Sequence, residues 1–507
     1  MVRHLLFVSV LMTFAAAAAG EPRSFAEPLR PQYHFSPAAH WINDPNGLVY
    51  FKHEYHLFFQ YNPQGDTWGH MSWGHAVSTD LVHWHELPVA IAEDERAMIF
   101  SGSIVVDEHD TSGFAAHGGT PLVAVYTAAE HRAGGLQSQA LAYSNDRGRT
   151  WTKFVGNPVL DLGLRNFRDP KVFWYEPRHS WIMAAVYSDR HQVGLFSSPD
   201  LKHWTHLSDF GPAGATDGAW ECPDLFELSV DGDAADARWV LKVDVFRSAV
   251  AAGSGTQYFV GRFDGQAFTQ DTATEAQWVD YGMDFYAAET WANLRPDEHR
   301  SIWIAWMNSH HYAEQIPTAP WRGAMSVPRE LRLHRDHGRI ELIQSPVLEL
   351  AALRGTRLLI AARTLGADPY RLPLPRGAGK AAEIIAEFSP QSAREFGLAV
   401  DVGGGERTRI GYDVATQSLF IDRSRSGKIP APIFAERKAV ALAPRDGLIR
   451  LHLLLDWSSI EVFADDGAVV MTEQLFPSPH SDRIEVYSEG GEALLRRLDF
   501  WPLRTAH

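Results

Sequence analysis

STDLVHW, residues 78–84, returns along the chain as SNDRGRTW (144–151) and SPDLKHW (198–204), with FDGQAF (263–268) as a weaker fourth copy. The full copies share Ser-x-Asp and end in Trp. An Asp in that setting accepts turn amides and the Trp packs between sheets, so each copy marks one hairpin of a repeated unit. Trp84, Trp151 and Trp204 lie roughly 50–70 residues apart, somewhat longer than the repeats of familiar propellers. Around the copies run short apolar stretches: EYHLFFQY (54–61), PLVAVYTA (121–128), WIMAAVYS (181–188), RWVLKVDVF (238–246) and SIWIAWM (301–307). Gly, Pro, Asp or Asn bounds each one, and helical periodicity is scarce. Many short strands in a repeating frame predict an all-β fold, with room for a five-bladed β-propeller over about residues 30–335.

Near residue 336 the texture changes. RDHGRIELIQSPVLELAALRG reads as a connector with a short strand and a short helix. Beyond it, EFGLAVDV (395–402), RTRIGYDV (407–414), GLIRLHLLLDWSSIEVFADDGAVV (447–470) and ALLRRLDFW (493–501) alternate again. This predicts a C-terminal β-sandwich over 350–507, with a hairpin at Asp465-Asp466-Gly467 and little clustered chemistry.

The chain has 507 residues, with 46 Lys+Arg against 62 Asp+Glu, a net charge of −16 with neutral His. So acidic a surface argues against nucleic acid as a partner. The 17 Trp, 27 Phe and 15 Tyr suit β-structure and stacking on carbohydrate alike. The first 20 residues, MVRHLLFVSVLMTFAAAAAG, read as a secretory signal peptide: Arg3, an apolar core from Leu5 to Phe14, then small residues. Cleavage is expected near Ala19 or Gly20, and the protein outside the cytoplasm, secreted or periplasmic. No membrane span is expected elsewhere, and oligomeric state is left open. Cys222 is the single cysteine, so large cores rather than crosslinks must supply stability.

In a propeller the inner strands of different blades converge on one axis. Three carboxylates stand at the start of such strands: Asp44 in HWINDPNGLVY (40–50), Asp169 in NFRDPKVFWY (166–175) and Glu221 in AWECPDLFEL (219–228). Pro45 stiffens the backbone after Asp44, and Asn46-Gly47 is a hairpin turn signal that places Asp44 at a turn. A turn Asp bonding its own backbone is the plain reading of Asp44 taken alone. Among such acids a pair is what glycosidic cleavage needs: one protonated carboxyl for the leaving oxygen and one ionised carboxylate. Glu221, flanked by Trp220 and Cys222, is expected to have its pKa raised by burial and neighbouring charge, and so to be the acid. Asp44, in a donor-rich setting beside Asn43, is expected to stay ionised.

WINDPNG (41–47), FFQYNP (58–63), WGHMSWGHAVSTDLVHW (68–84), FSGS (100–103), FRDP (167–170), WECPDLFEL (220–228) and WRGAMSVPRE (321–330), in that order, together resemble glycoside hydrolase family 32. That family holds invertases, exo-inulinases and levanases. Weaker matches continue in SSIEVFADDG (458–467) and Phe476-Pro477. The resemblance implies a five-bladed propeller followed by a β-sandwich. It implies Asp44 as nucleophile, Glu221 as general acid then base, and Asp169 as holder of fructose hydroxyls and stabiliser of the transition state. It further implies Asn43, Gln60, Trp68, Ser101, Arg168 and Trp321 as substrate-binding residues. Tyr286, in DFYA, matches a further family motif.

Other signals in the sequence carry less. His83-x-His85 and His310-His311 lack convergent acids at metal-site spacing, so no metal and no cofactor is expected. Cys222 has no dedicated His base and reads as a small buried apolar group. Gly403-Gly404-Gly405 lacks the strand–helix context of a nucleotide site. Trp73, Trp291 and Trp306 read as core or wall, and Glu461, alternating with Val462 and Phe463, as a solvent-facing strand residue.

The function expected is an exported retaining β-fructosidase releasing terminal β-D-fructofuranosyl units from inulin or levan and from sucrose. Its intermediate would be a fructosyl-aspartate. The stretch GSGTQYFVGRFDG (253–265) resembles bacterial exo-acting fructan hydrolases more than intracellular sucrose enzymes, which implies fructan over sucrose. The alternatives are a fructosyltransferase, a non-catalytic sugar-binding propeller, and an inverting arabinan-cleaving relative with three acids.

Overall fold

A computed structural model describes residues 25–132, 134–247, 255–271, 276–295 and 300–507. The expected signal peptide and its cleavage bond lie outside them, as do residues 253–254 of the segment 253–265.

The repeat does what its chemistry predicts. In the first unit Asp80 Oδ1 accepts the amides of Val82 (3.0 Å) and His83 (2.8 Å), and the Trp84 indole donates to Leu81 O at 3.1 Å. Asp200 and Trp204 repeat this with Lys202, His203 and Leu201. Asp146 takes the Thr150 amide while Trp151 donates to Gly148 O. In the weaker copy Asp264 takes the amides of Gln266 and Ala267. Each copy closes the third-to-fourth strand turn of an antiparallel sheet.

Five antiparallel units follow from this punctuation. The first holds His40–Phe51, Glu54–Asn62, Ser72–Ser78 and His85–Ile91. The second holds Ala97–Val106, Leu122–Glu130, Gln137–Ser144 and Thr152–Lys153. The third holds Phe167–Tyr175, Ser180–Tyr187, Gln192–Ser198 and Thr205–Phe210. The fourth holds Trp220–Val230, Asp233–Val245, Gly255–Phe263 and Phe268–Gln270. The fifth holds Tyr286–Thr290, Ile302–Trp306, Arg329–Asp336 and Arg339–Pro346. The leading strand of each unit packs against that of the next, and the fifth returns to the first. Trp321–Arg322 seals the circle by pairing in parallel with His40–Trp41. This is the closed radial arrangement of a propeller.

The ring explains why the apolar runs are continuous rather than alternating. In WIMAAVYS, Ile182, Ala184 and Val186 enter the core shared with the fourth unit, beside Trp220 and Phe259. Trp181, Met183, Ala185 and Tyr187 enter the core shared with the second, beside Val123 and Leu141. A sheet buried on both faces has no polar side to show in its sequence.

The stretch from residue 336 begins inside a hairpin. Arg339–Pro346 pairs with Arg329–Asp336 and completes the fifth unit, and a 3₁₀ helix, Leu348–Leu353, follows. Beyond it two sheets face each other. A seven-stranded sheet includes Ala382–Pro390, Ile449–Asp456, Ser459–Ala464 and Ala493–Pro502. A six-stranded one includes Glu395–Gly403, Glu406–Asp413, Ser418–Arg425 and Arg483–Glu489. Ile384, Phe388, Phe396, Leu398, Leu453 and Val486 fill the space between them. Asp465–Gly467 turns the expected hairpin.

Sandwich and propeller meet through buried charge, which corrects the reading of Glu461. That carboxylate is 0 % exposed. It accepts Arg329 Nε at 3.0 Å and Nη2 at 2.5 Å, and pairs with His34 Nε2 at 2.9 Å. The strand's outer face is covered by the propeller, so alternation there reports two buried faces. His34 also meets Asp456 Oδ2 at 2.8 Å. Burial works against its charge, but the two carboxylates prevail and its pKa is raised to about 9. His56, buried and in contact with His75 at 3.0 Å, goes the other way: burial lowers it to about 4.

The signs give a stability window. His34 stabilises the fold below about pH 6.5 in full, and this contribution fades as pH rises through about 9. His56 withdraws stability as pH falls from about 6.5 toward 4. In His34→Gln the alkaline decline in melting temperature between about pH 7 and 9 should flatten. A decline as steep as in the parent would exclude His34 as its source.

Candidate active site

Every leading strand carries a bulge at the same level. The pairing register slips between Ile42 and Pro45, Ile99 and Gly102, Arg168 and Lys171, Glu221 and Asp224, and Tyr286 and Glu289. A bulge frees residues from the ladder and re-aims their side chains. Proline fits where a ladder amide is dispensable, and Pro45, Pro170 and Pro223 occupy three of these slips. Asp169, Cys222 and Ala287 take left-handed backbone there, with φ of 61°, 46° and 56°. Asp-Pro, Asp-Pro and Cys-Pro are thus one local event in three units, and they aim Asp44, Asp169 and Glu221 at the axis.

This corrects the hairpin reading of Asn46-Gly47. His40–Phe51 is a single strand, and the chain turns only at Lys52-His53, where φ is positive at both residues. Gly47, at φ 53°, serves a second slip between Asn46 and Val49. A Cβ on it would lie 2.7 Å from Ile104 Cδ1.

Side chains of each of the first four units fix the bulge of the next. Gln60 Nε2 and Trp73 Nε1 donate to Ile99 O and Phe100 O, both at 3.0 Å. Ser103 Oγ donates to Pro170 O at 2.8 Å, and Thr127 Oγ1 accepts the Asp169 amide at 2.9 Å. Asp169 Oδ2 accepts the Cys222 amide at 3.0 Å, and Asp244 Oδ1 the Ala287 amide at 3.0 Å. Asp169 and Glu221 therefore stand on pinned backbone.

The three acids meet through shared partners. Cys222 Sγ lies 3.5 Å from Asp44 Oδ2 and 3.8 Å from Asp169 Oδ2. Arg168 spans the other two, with Nη2 donating to Glu221 Oε1 at 2.9 Å and Nε 3.7 Å from Asp169 Oδ2. Asp44 Oδ2 accepts Ser101 Oγ at 2.7 Å, and Oδ1 accepts Asn43 Nδ2 at 3.1 Å. Trp41 Nε1 orients Asn43 from 2.8 Å. Arg168 is held in turn by Ser188 Oγ at 2.6 Å and Gln137 Oε1 at 3.3 Å. The Tyr286 hydroxyl donates to Glu221 Oε2.

The electrostatics revise one expectation. Burial pushes Glu221 up, but Arg168, His310 and the Tyr286 hydroxyl outweigh it and hold its carboxyl below the ordinary value. Trp220 does not shield it: that indole points into the neighbouring core and donates to Ala215 O. Asp169 is the carboxyl that is raised, to about 7. Burial leads, with Glu221 and Asp44 adding to it against Arg168.

The remaining candidates divide. Asn43, Ser101 and Arg168 touch the acids. Trp68, 48 % exposed, stands at the rim with its edge toward Phe100 at 6.0 Å. Gln60 is buried against the Ile99 bulge. Trp321 is 1 % exposed with the Arg30 guanidinium 3.6 Å above its ring, so it does not join the cluster. Trp73, Trp291 and Trp306 are all buried. Sequence reasoning missed His310, which it considered only as a metal ligand. His310 packs edge-on against Tyr286 (4.7 Å) and Trp306 (4.9 Å). Nothing in the local sequence marks it.

Beneath the acids lies a layer of paired charge. Lys171 Nζ donates to Thr290 O at 2.7 Å and lies 3.3 Å from Asp224 and Glu289. Lys242 pairs with Asp244 at 2.9 Å.

Comparison with known proteins matches this chain to the glycosyl hydrolases family 32 N-terminal domain over residues 34–346 and to its C-terminal domain over 349–502. A levanase of Bacillus subtilis (strain 168) is 45 % identical over 512 residues, covering 99 % of this chain and 75 % of the levanase. An extracellular exo-inulinase of Aspergillus niger is 39 % identical over 521 residues, covering 96 % of each. The crystal structure of an exo-inulinase from Aspergillus awamori superposes with a TM-score of 0.89 at 37 % identity, over 96 % of this chain and all of that one.

Proposed function

This chain belongs to glycosyl hydrolase family 32, and from that premise we propose that it is an exported, retaining β-fructosidase that removes terminal fructose from fructans and sucrose. The observation that carries the reading is the joining of three carboxylates from three units through Cys222 and Arg168. The levanase and exo-inulinase relatives support the substrate class, and the sequence of the first 20 residues supports export. The closed cycle of five leading strands supports five blades. We place the division into propeller and sandwich near Val347.

In this reading Asp44 attacks the anomeric carbon of the fructosyl unit. Ser101 and Asn43 hold its two oxygens, so the attack needs little reorientation. Glu221 gives its proton to the leaving oxygen, and the fructosyl ester on Asp44 forms. Glu221, now charged, takes a proton from the water that opens the ester. Arg168 and Tyr286 favour the charged form, which suits the second step; the first draws on the protonated fraction, which grows as pH falls. Asp169 meets the sugar hydroxyls, with Asn43, Arg168 and Trp68 completing the subsite. Trp321 and Gln60 act from behind it.

Glu221→Gln tests the assignment. Its loss should be roughly 10²–10⁴-fold on sucrose, and much smaller on an aryl fructoside whose leaving group needs no proton. Equal losses on both substrates would remove Glu221 from the acid role. Product analysis over time on inulin and levan, with the first-formed fructose anomer read by NMR, tests exo action and retention together.

A further inference from the structure

We propose that the buried Lys242–Asp244 pair is a positioning element for the acid/base group: Asp244 fixes the left-handed backbone of Ala287, and this aims the Tyr286 hydroxyl at Glu221. The inference rests on the assignment of Glu221 above.

Asp244 lies directly across from Glu221 in the pairing of Trp220–Val230 with Asp233–Val245. Neither Asp244 nor Lys242 is more than 1 % exposed. The Asp244 carboxylate is fully engaged. Oδ2 takes Lys242 Nζ at 2.9 Å, and Oδ1 takes the Thr256 hydroxyl and, at 3.0 Å, the Ala287 amide. Ala287 sits in the slip between Tyr286 and Glu289 at φ 56°. An L-residue with a Cβ is disfavoured in that conformation, so something must hold it there. The bond to Asp244 does. Its neighbour Tyr286 then gives its hydroxyl hydrogen to Glu221 Oε2. Burial, with Glu221, Asp244 and Cys222 adding to it, keeps that hydroxyl protonated and therefore a donor.

Stability alone gives no reason for charge at this place. A buried ion pair is commonly matched or bettered by apolar side chains of the same volume. What apolar side chains lack is the acceptor for Ala287 and the ammonium that keeps the acceptor in place. The groups facing Glu221 are Arg168 and Asp169 of the third unit, Asp44 of the first, Cys222 of its own strand, Tyr286 of the fifth and His310 beyond it. Lys171, Asp224 and Glu289 lie in the layer below with Lys242. Among these, Tyr286 is the hydroxyl that donates to Glu221 itself, and Asp244 holds the bulge beside it.

The test reads the alkaline limb of kcat/KM for sucrose. Tyr286→Phe removes a donor to the charged carboxylate, so the limb should move up by about one pH unit. Lys242→Met/Asp244→Ala removes both charges together and should move it as far. The triple variant should move it no further. Thr256→Val loosens Asp244 without touching charge, and a smaller shift in the same direction is expected; it serves if the double variant melts below the assay temperature. An unmoved limb in the double variant or in Thr256→Val, or a shift that adds to that of Tyr286→Phe, overturns the proposal. Failure of the Glu221 assignment is separate, because Glu221→Gln would then show no leaving-group dependence.

Discussion

Asp44→Asn should lower kcat roughly 10⁴-fold or more, with a melting temperature close to that of the parent. The replacement conserves shape, so it opens no cavity, and Ser101 Oγ can still donate to the remaining oxygen. What it removes is the charge that attacks carbon and the ester that follows. Sugar binding should survive, because Asn43, Arg168 and Asp169 keep their supports in Trp41, Ser188 and Thr127. Steady-state kinetics, a melting curve and calorimetric titration with fructose separate these effects. Kinetics within a few fold of the parent would end the nucleophile assignment. A collapse of the melting temperature would make Asp44 a structural residue.

The second large effect is on stability. Arg329→Met should cost about 3–5 kcal/mol, the penalty for breaking a buried pair by removing one side. Arg329 reaches Glu461 twice, Asp280 at 3.1 Å, Gln344 at 3.1 Å and Thr472 at 2.6 Å, so its guanidinium satisfies groups on both halves of the molecule. Methionine fills the volume but removes the cation that Asp280 and Glu461 share, leaving Glu461 with His34 as its remaining cation. Denaturant titration measures the loss. Because Arg329 bonds none of the three acids, turnover at low temperature should be near that of the parent. A change below about 1 kcal/mol would mean that the seam reorganises freely.

Most of the architecture was legible because it is written locally. An Asp that takes the amides two and three residues ahead needs no distant partner, so STDLVHW and SPDLKHW announce their turns from within. The acids were legible for a related reason, since Asp-Pro and Cys-Pro mark slips in a strand. Their type was misread: Asn46-Gly47 looks the same in sequence whether it turns a chain or kinks it. Other residues depend on what arrives from far away. Glu461 alternates like an exposed residue because its second face is closed by His34 and Arg329, more than a hundred residues earlier. Glu221 was expected to be protonated by burial, and the balance is reversed by Arg168 and Tyr286, one in each adjoining unit. His310 enters the site from a loop whose spacing carries no signal. Trp321 shares a motif with the subsite yet lies under Arg30.

The parallel pairing of Trp321–Arg322 with His40–Trp41 sets the order in which this enzyme comes into being. The earliest strand to be synthesised cannot find its last neighbour until the fifth unit has emerged. Loop closure over such a span is slow compared with local hairpin formation. A nascent chain therefore owns all three carboxylates long before it owns a rigid place to put them. A fragment ending short of residue 321 would carry Asp44, Asp169 and Glu221 yet lack the strand that closes the ring, and it is expected to be inert.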